Sequence, residues 1–278
     1  MVEASMVRVS FQGELGAYSE EASINFFGNT VDLYPLPYLT DVFKSVENGL
    51  AEFAVVPIEN TLEGSVNETY DLLIGASVKI IGEEVLRVKH CFMANFGVKI
   101  GDVKEVWSHP QALSQCRKFI ESKRLKPVPY YDTAGSAKAI AEGKVMNAGA
   151  IASCRAAKHY GLNVLAEEIE DSPNNYTRFI IIGNSVPKIS EREKTSIIFS
   201  VRHVPGALYR ALKAFADNGV NLTKIESRPT KEKPWEYFFF VDFMGQYDEK
   251  DVKNALDKLK KEALFIKVLG SYPAVSDN

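Results

Sequence analysis

Hydrophobic and polar positions along this chain switch repeatedly between a period of two and a helical period, and the switches mark its elements. Val7 to Gln12 alternates and predicts a strand, Gly13-Glu14-Leu15-Gly16 predicts a turn, and Ser19 is placed as the N-cap of a helix running to Phe27. Asp41 is placed as the cap of a second helix. Phe53-Ala54-Val55-Val56-Pro57-Ile58 is a continuous apolar run, the pattern of a strand buried on both faces of a parallel sheet. Strands are predicted at 103–107, 128–131, 148–151 and 179–182, with helices at 111–125, 136–142 and 153–160. This alternation predicts an α/β architecture, and a long crossing stretch at 78–96 suggests two lobes with a cleft between them.

Asn184 to Lys194 is polar, carries Pro187 and lacks periodicity, so it reads as a linker. After it the pattern resets to strand 195–201, helix 205–218, strands 220–227 and 236–243, helix 249–261 and strand 265–269. That is βαββαβ, the ferredoxin-like order. Along Tyr237-Phe238-Phe239-Phe240-Val241 both faces of the strand are apolar, although helices cover only one face of such a sheet. The uncovered face predicts self-association, with packing of the first domain there as the alternative.

Composition narrows the class. The 278 residues are 46% hydrophobic and 25% charged, which excludes disordered, collagen-like and coiled-coil chains. A net charge of −3 gives no basic field for nucleic acid, and no apolar run reaches the roughly 18 residues of a membrane span. The start, Met1 to Met6, shows no signal-peptide pattern. Cys91, Cys116 and Cys154 are odd in number and far apart, which points to a reducing compartment, hence the cytoplasm, rather than a disulfide framework.

Candidate chemistry gathers at strand ends. The four histidines lack the partner spacing of a metal site, so no metal is expected. Gly13-x-x-Gly16 before a helix suits either an anion at the helix N-terminus near Ser19 or a plain turn. Glu59-Asn60-Thr61 follows the apolar strand, where open α/β sheets place ligands; an Asx turn with an N-cap is the alternative. Ser108-His109-Pro110-Gln111 opens a helix, with Gln115 one turn beyond Gln111 on the same face. Asp132-Thr133-Ala134-Gly135 and Asn175-Tyr176-Thr177-Arg178-Phe179 flank further strands. Together they outline a polar pocket suited to hydrogen-bonding a small anion, without a covalent nucleophile.

Taken in order, these segments resemble the prephenate dehydratase family. Phe11-Gln12-Gly13-x-x-Gly16-Ala17-Tyr18-Ser19, Pro57-Ile58-Glu59-Asn60, Ser108-His109-Pro110-Gln111 and Asn175-x-Thr177-Arg178-Phe179 match its motifs. Pro205-Gly206-Ala207-Leu208 and Asn221-Leu222-Thr223-Lys224-Ile225-Glu226-Ser227-Arg228-Pro229 resemble its regulatory ACT domain. The resemblance implies an α/β catalytic domain over 1–185, two-lobed like type II periplasmic binding proteins, and an ACT domain over 195–278. It implies loss of CO2 and water from prephenate to give phenylpyruvate, without a cofactor. Thr177, Asn60, Ser108, Gln115 and Glu59 are then the expected catalytic set. Thr61, Arg178, Phe179, Ser19 and Asp132 are expected to bind substrate, with Arg178 either clamping a carboxylate or facing away to brace the lobes. Thr61 stands where many relatives have Ser. Gly206, Ala207, Leu208, Asn221, Leu222 and Glu226 are the expected effector site for phenylalanine, and a homodimer or dimer of dimers through the ACT domain is the expected assembly. A chorismate mutase fused ahead of Val7, which some relatives carry, is not expected, and the chain is expected to be monofunctional. Arogenate dehydratase is the close alternative, and a non-catalytic amino-acid sensor the distant one.

Overall fold

The computed structural model describes residues 6–145, 147–184 and 193–275. Most of the expected linker therefore lies outside the described residues. The first lobe opens as β1 (Val7–Gln12), α1 (Tyr18–Phe27), β2 (Val31–Leu36), α2 (Leu39–Glu47), β3 (Phe53–Asn60), the two-residue β4 (Gly64–Ser65), α3 (Asn67–Gly75) and β5 (Lys79–Arg87). The chain then crosses to the second lobe as β6 (Cys91–Ala94), β7 (Glu105–Ser108), α4 (Pro110–Gln115), α5 (Arg117–Ser122), β8 (Lys126–Pro129), α6 (Thr133–Ala141), β9 (Ala148–Ala152), α7 (Cys154–Tyr160) and β10 (Asn163–Ala166). It returns to the first lobe as β11 (Tyr176–Gly183). The C-terminal domain is β12 (Glu193–Val201), α8 (Ala207–Ala216), β13 (Leu222–Pro229), β14 (Tyr237–Met244), α9 (Lys250–Glu262) and β15 (Ala263–Pro273), the βαββαβ order read from the sequence.

Each body has its own sheet. The strand orders are β2-β1-β3-β11-β5, β10-β6-β9-β7-β8 and β13-β14-β12-β15, with β4 pairing on β3. The apolar run of β3 is buried as expected, but its sheet is mixed. β3 is parallel to β1 and antiparallel to β11, because β11 arrives from the other lobe. The expected helix 111–125 is two helices, interrupted at Cys116, whose φ of −112° and ψ of 23° leave the helical geometry.

Small residues bring the lobes together on one side. The turn after β1 lies against α6 and α7, and Phe11 and Ala17 share a core with Ala134, Ala137, Ala156 and Ala157. Gly16, at φ +90°, has room for nothing larger: a Cβ there would stand 2.6 Å from the Ala156 Cα. The Ser153 hydroxyl donates to the Gly16 carbonyl at 2.6 Å. Asp132 Oδ2 accepts the Glu14 N–H at 3.1 Å while its Oδ1 accepts from Ala134 at the start of α6. The Gly13–Gly16 turn is thus a lobe-to-lobe contact.

On the aromatic strand β14 the structure has the alternative expectation, packing of the first domain. Phe240, 3% exposed, packs on the first lobe with its ring 4.8 Å from that of Tyr70. Ile198, Phe240, Leu269 and Tyr272 of the C-terminal sheet share one core with Leu73, Val78 and Ile80. The face without helices is covered by the first lobe. β15 runs so close to β5 that a Cβ on Gly270 would collide with the Ile80 carbonyl. Lys267 donates to the Leu73, Ile74 and Ala76 carbonyls, closing the C-terminal end of α3 with a cation, where the helix dipole favours it.

Charges complete this interface. Arg178, with its side chain 13% exposed, donates to Glu83 at 2.8 Å, to Asp242 of β14 at 2.6 Å and to the Tyr272 hydroxyl at 3.0 Å. Lys194 takes the other oxygen of Glu83 at 2.6 Å, and the Ser196 hydroxyl donates to Asp242. Burial opposes the charge on Arg178, yet Asp242, Tyr272 and Glu83 outweigh it and raise its pKa.

The cysteines are a further correction. Cys91 and Cys154, 63 residues apart, form a disulfide with their Cα atoms 5.5 Å apart, and Cys116 is free and buried. The sheet brings the pair together, since Cys91 registers with Ala152 at the end of β9 and Cys154 follows two residues later.

Removing Arg178 would leave Glu83 and Asp242 buried without their shared cation. Arg178→Ala is expected to destabilise the protein by about 3–5 kcal/mol, read as a lowered urea midpoint. A midpoint within error of the parent protein would refute the role given to this cluster.

Candidate active site

The register of β3 against β11 decides which side chains share a side. Asn60 lies opposite Thr177, and Glu59 opposite Arg178. Successive strand residues point to opposite faces, so Asn60 and Thr177 form one group while Glu59 and Arg178 turn toward the C-terminal domain.

The backbone fixes the Asn60 amide. Its Oδ1 accepts the N–H groups of Leu62 at 2.9 Å and Glu63 at 3.0 Å, the turn expected from the sequence. Its Nδ2 must therefore face the other way, where it meets Asn175 Oδ1 at 2.9 Å, the Tyr176 carbonyl at 3.1 Å and Thr177 Oγ1 at 3.0 Å. Because Asn60 is the donor, the hydroxyl proton of Thr177 is not spent on it. Among the described residues no hydrogen bond takes that proton. Thr177 is half-buried on its strand, a hydroxyl held at its oxygen with its proton available.

The group continues into the second lobe. Asn175 Nδ2 donates to Gln115 Oε1 at 2.8 Å, and His90 Nε2 meets the same oxygen at 2.9 Å. On its other side, His90 Nδ1 lies 2.8 Å from the Tyr18 hydroxyl, with the two rings edge to face. Burial lowers the pKa of His90 against the opposing effects of Gln115 and Glu170, and burial raises that of Tyr18. Tyr18 also borders a cavity of about 450 Å³ between α1 and α7, with Lys89, Arg155, Lys158 and both disulfide cysteines on its walls.

Several expected site residues stand elsewhere. Glu59 pairs with Lys224 of β13 at 2.7 Å and faces the C-terminal domain. Arg178 faces the same way and braces that domain, so of its two expected orientations the structure has the outward one. Phe179 is core, packed with Val9, Val55 and Ile181. Ser108 is fully buried, and its hydroxyl donates to the Ile151 carbonyl across to β9. Ser19 lies buried inside the first turn of α1, whose N-cap is Ala17. Asp132 is occupied by the lobe contact described above, and burial raises its pKa. Thr61 holds the loop before β11, donating to the Asn174 carbonyl at 2.7 Å and accepting the Tyr176 N–H at 2.9 Å.

The expected effector residues divide in the same way. Ala207 and Leu208 line a cavity of about 110 Å³ with His203, Trp235, Tyr237 and Phe239, and Gly206 at φ 78° is the N-cap of α8. Asn221 and Leu222 follow the far end of that helix, about 15 Å away at 1.5 Å per residue. Glu226 turns to the first lobe and accepts from the Ser65 hydroxyl. Within one chain these three parts do not meet.

Asn175, His90 and Tyr18 belong to the polar group although none was singled out as a site residue. Asn175 stands two residues before Thr177, so strand periodicity alone would have placed it on the same side. His90 and Tyr18 come from distant segments, and no local pattern joins them.

The chain matches the family model for prephenate dehydratase over residues 9–187 and that for the ACT domain over residues 195–261. Arogenate dehydratase 2 of Petunia hybrida is 43% identical over 99% of this chain and 73% of its own length. A crystal structure of prephenate dehydratase from Arthrobacter aurescens, in complex with L-Phe, is 34% identical over 97% of this chain and 92% of that one, with a TM-score of 0.88. A structure described as a novel type of quorum quenching acylase, GqqA, is 33% identical over 96% of this chain and 98% of that one, with a TM-score of 0.89. One fold thus carries more than one named activity, and function has to be argued from the site. With an ACT domain after its two lobes, this chain belongs to the prephenate dehydratase family.

Proposed function

We propose that the protein converts prephenate to phenylpyruvate and that Thr177 assists the departing hydroxyl. The observation that carries the reading is the direction of one hydrogen bond: Asn60 donates to Thr177 Oγ1, so the threonine's proton is free for the substrate. In this reaction the bond to the ring carboxylate breaks and CO2 leaves. Its electron pair enters the ring, and the C–O bond on the opposite carbon breaks. The hydroxyl leaves as water with a proton supplied through Thr177 and ultimately from solvent. Aromatisation drives the step, so a hydrogen bond that strengthens as the oxygen gains charge is the assistance needed. Gln115 offers the remaining substrate the N–H group that its neighbours leave unpaired. Ser108, Thr61 and Asp132 support the site through the backbone contacts described above.

Arogenate, the amino analogue of prephenate, undergoes the same elimination, and the 43% identity to an arogenate dehydratase supports it as the second reading. Incubation with each substrate, followed by phenylpyruvate and phenylalanine formation, separates the two. A positioned proton donor contributes about 10²–10⁴-fold, so Thr177→Ala is expected to lose that much kcat while Thr177→Ser keeps part of it. Thr177→Ala within threefold of the parent would remove Thr177 from the mechanism.

Phenylalanine is the proposed effector, its carboxylate at the N-terminus of α8 and its ring in the cavity with Trp235 and Tyr237. Among the described residues no helix is long and apolar enough to cross a membrane, and a cytoplasmic place fits an enzyme of amino-acid biosynthesis. The separation of Gly206 from Asn221 within one chain supports a site completed by a second subunit through the ACT domain. Gly206 already occupies left-handed backbone, and a Cβ there would meet the Arg210 guanidinium at 3.0 Å. Gly206→Ala is therefore expected to need at least tenfold more phenylalanine for half-inhibition, and inhibition like the parent's would move the effector elsewhere. Light scattering at micromolar concentration is expected to return a mass of at least two chains. A single-chain mass would overturn the shared site.

A further inference from the structure

We propose that His90 is a positioning residue of the active site: its ring holds the Gln115 amide so that the Gln115 Nε2 is the group left to meet the substrate. The proposal rests on the reading of Gln115 as a substrate-facing residue and adds the device that aims it.

The orientation of every group in the chain follows from a backbone anchor. Two backbone N–H groups, of Leu62 and Glu63, fix the Asn60 oxygen. Asn60 Nδ2 then requires an acceptor at Asn175, which turns the Asn175 Nδ2 toward Gln115. Gln115 must answer with its oxygen. That oxygen also receives His90, so the proton of a neutral imidazole resides on Nε2, and the Tyr18 hydroxyl, 2.8 Å from both Nδ1 and the Lys89 carbonyl, shares its proton between those two acceptors. With both lone-pair directions of Oε1 filled, rotation of the Gln115 amide would set its NH2 group against two donors. The amide is locked.

The lock leaves one loose end. Gln115 is 8% exposed, and its Nε2 is buried without a partner among the described residues. A buried donor left unpaired carries a desolvation cost that a ligand acceptor would recover on binding. Prephenate presents two carboxylates, the acceptors such a donor suits.

His90 is built to stay in place. It is 2% exposed in the segment that crosses between the lobes. Its backbone N–H donates to Glu170 at 2.9 Å, and its carbonyl accepts from Ile169 at 3.1 Å, both on the returning segment. The ring therefore contacts α1 of the first lobe and α4 of the second at once.

A double-mutant cycle tests the inference. His90→Phe keeps the ring and removes both nitrogens, and it is expected to lower kcat/KM for prephenate about tenfold. In a Gln115→Ala background the same change is expected to cost less than twofold, because the amide it positions is gone. Losses that multiply across the two sites, or a single-variant loss below twofold, would overturn the proposal. If Gln115→Ala alone retains full activity, the reading of Gln115 fails instead. A measurement on the unaltered protein guards against a variant that does not fold: 15N chemical shifts of His90 are expected to show a protonated Nε2. An unprotonated Nε2 would refute the lock whatever the kinetics.

Discussion

The buried charges around Arg178 are the constraint from which much else follows. Two carboxylates and a guanidinium removed from water cost more than an exposed pair can return, so each has to be matched by geometry. Glu83 meets this with Arg178, Lys194 and the backbone N–H of Val275, and Asp242 with Arg178 and Ser196. The partners come from β5, β11, β12 and β14 and from the chain end beyond β15. The cluster can therefore be satisfied only when the C-terminal domain is docked on the first lobe. The apolar contacts around Phe240 and Tyr70 supply the attraction, and the charges set the register.

The same strand also carries the chemistry. Arg178 points to the docked domain because Thr177, its neighbour, points to Asn60, and the pleat allows no third choice. A chemical group and a structural anchor thus share one peptide bond. Where the Gly13–Gly16 turn and α1 meet α6 and α7 a different economy of space operates: Gly16, Ala156 and the alanines of α6 let two layers approach closely, and Lys138 pairs with Glu14 and Arg155 with Glu20 across the contact. The lobes are fastened by the small residues and ion pairs around Gly16 and by the His90–Gln115–Asn175 hydrogen bonds.

Local pattern carried the sequence reading far. β1 runs from Val7 to Gln12 as its alternation predicts, and the six elements after the linker were all legible, because each buries one stripe or face. Thr177 and Asn60 come together as expected, since both end strands that pair. What escaped is non-local. The two-faced apolar run of β14 signals a cover without saying which, and the first lobe supplies it. Cys91 and Cys154 are joined only once β6 and β9 pair. Glu59 looks catalytic because it adjoins polar motif residues, but a strand sends neighbours apart, the alternation that had already allowed Arg178 to face away. Gln115 and His90 meet across a crossing whose path no periodicity describes.

Regulation by a ligand near α8 has to work through the parts described here. The cavity beside Gly206 is lined by Tyr237 and Phe239 of β14 and by Val201 of β12. Further along those strands stand Asp242, which accepts from Arg178, and Ser196, which donates to Asp242. A ligand that prefers one placement of β14 over another therefore biases the position of Arg178, and with it the β11 backbone that carries Thr177. Coupling between sites is commonly about 1–3 kcal/mol, which is about 5–150-fold in affinity. A shift of that size needs only a partial loss of complementarity in a buried ion cluster, because removal of a whole partner costs about 3–5 kcal/mol. The interaction that fastens the two domains is thus of the right strength to report between them: strong enough to dock the sheet, and short-ranged enough that a small displacement of one strand is felt by the next residue along the other.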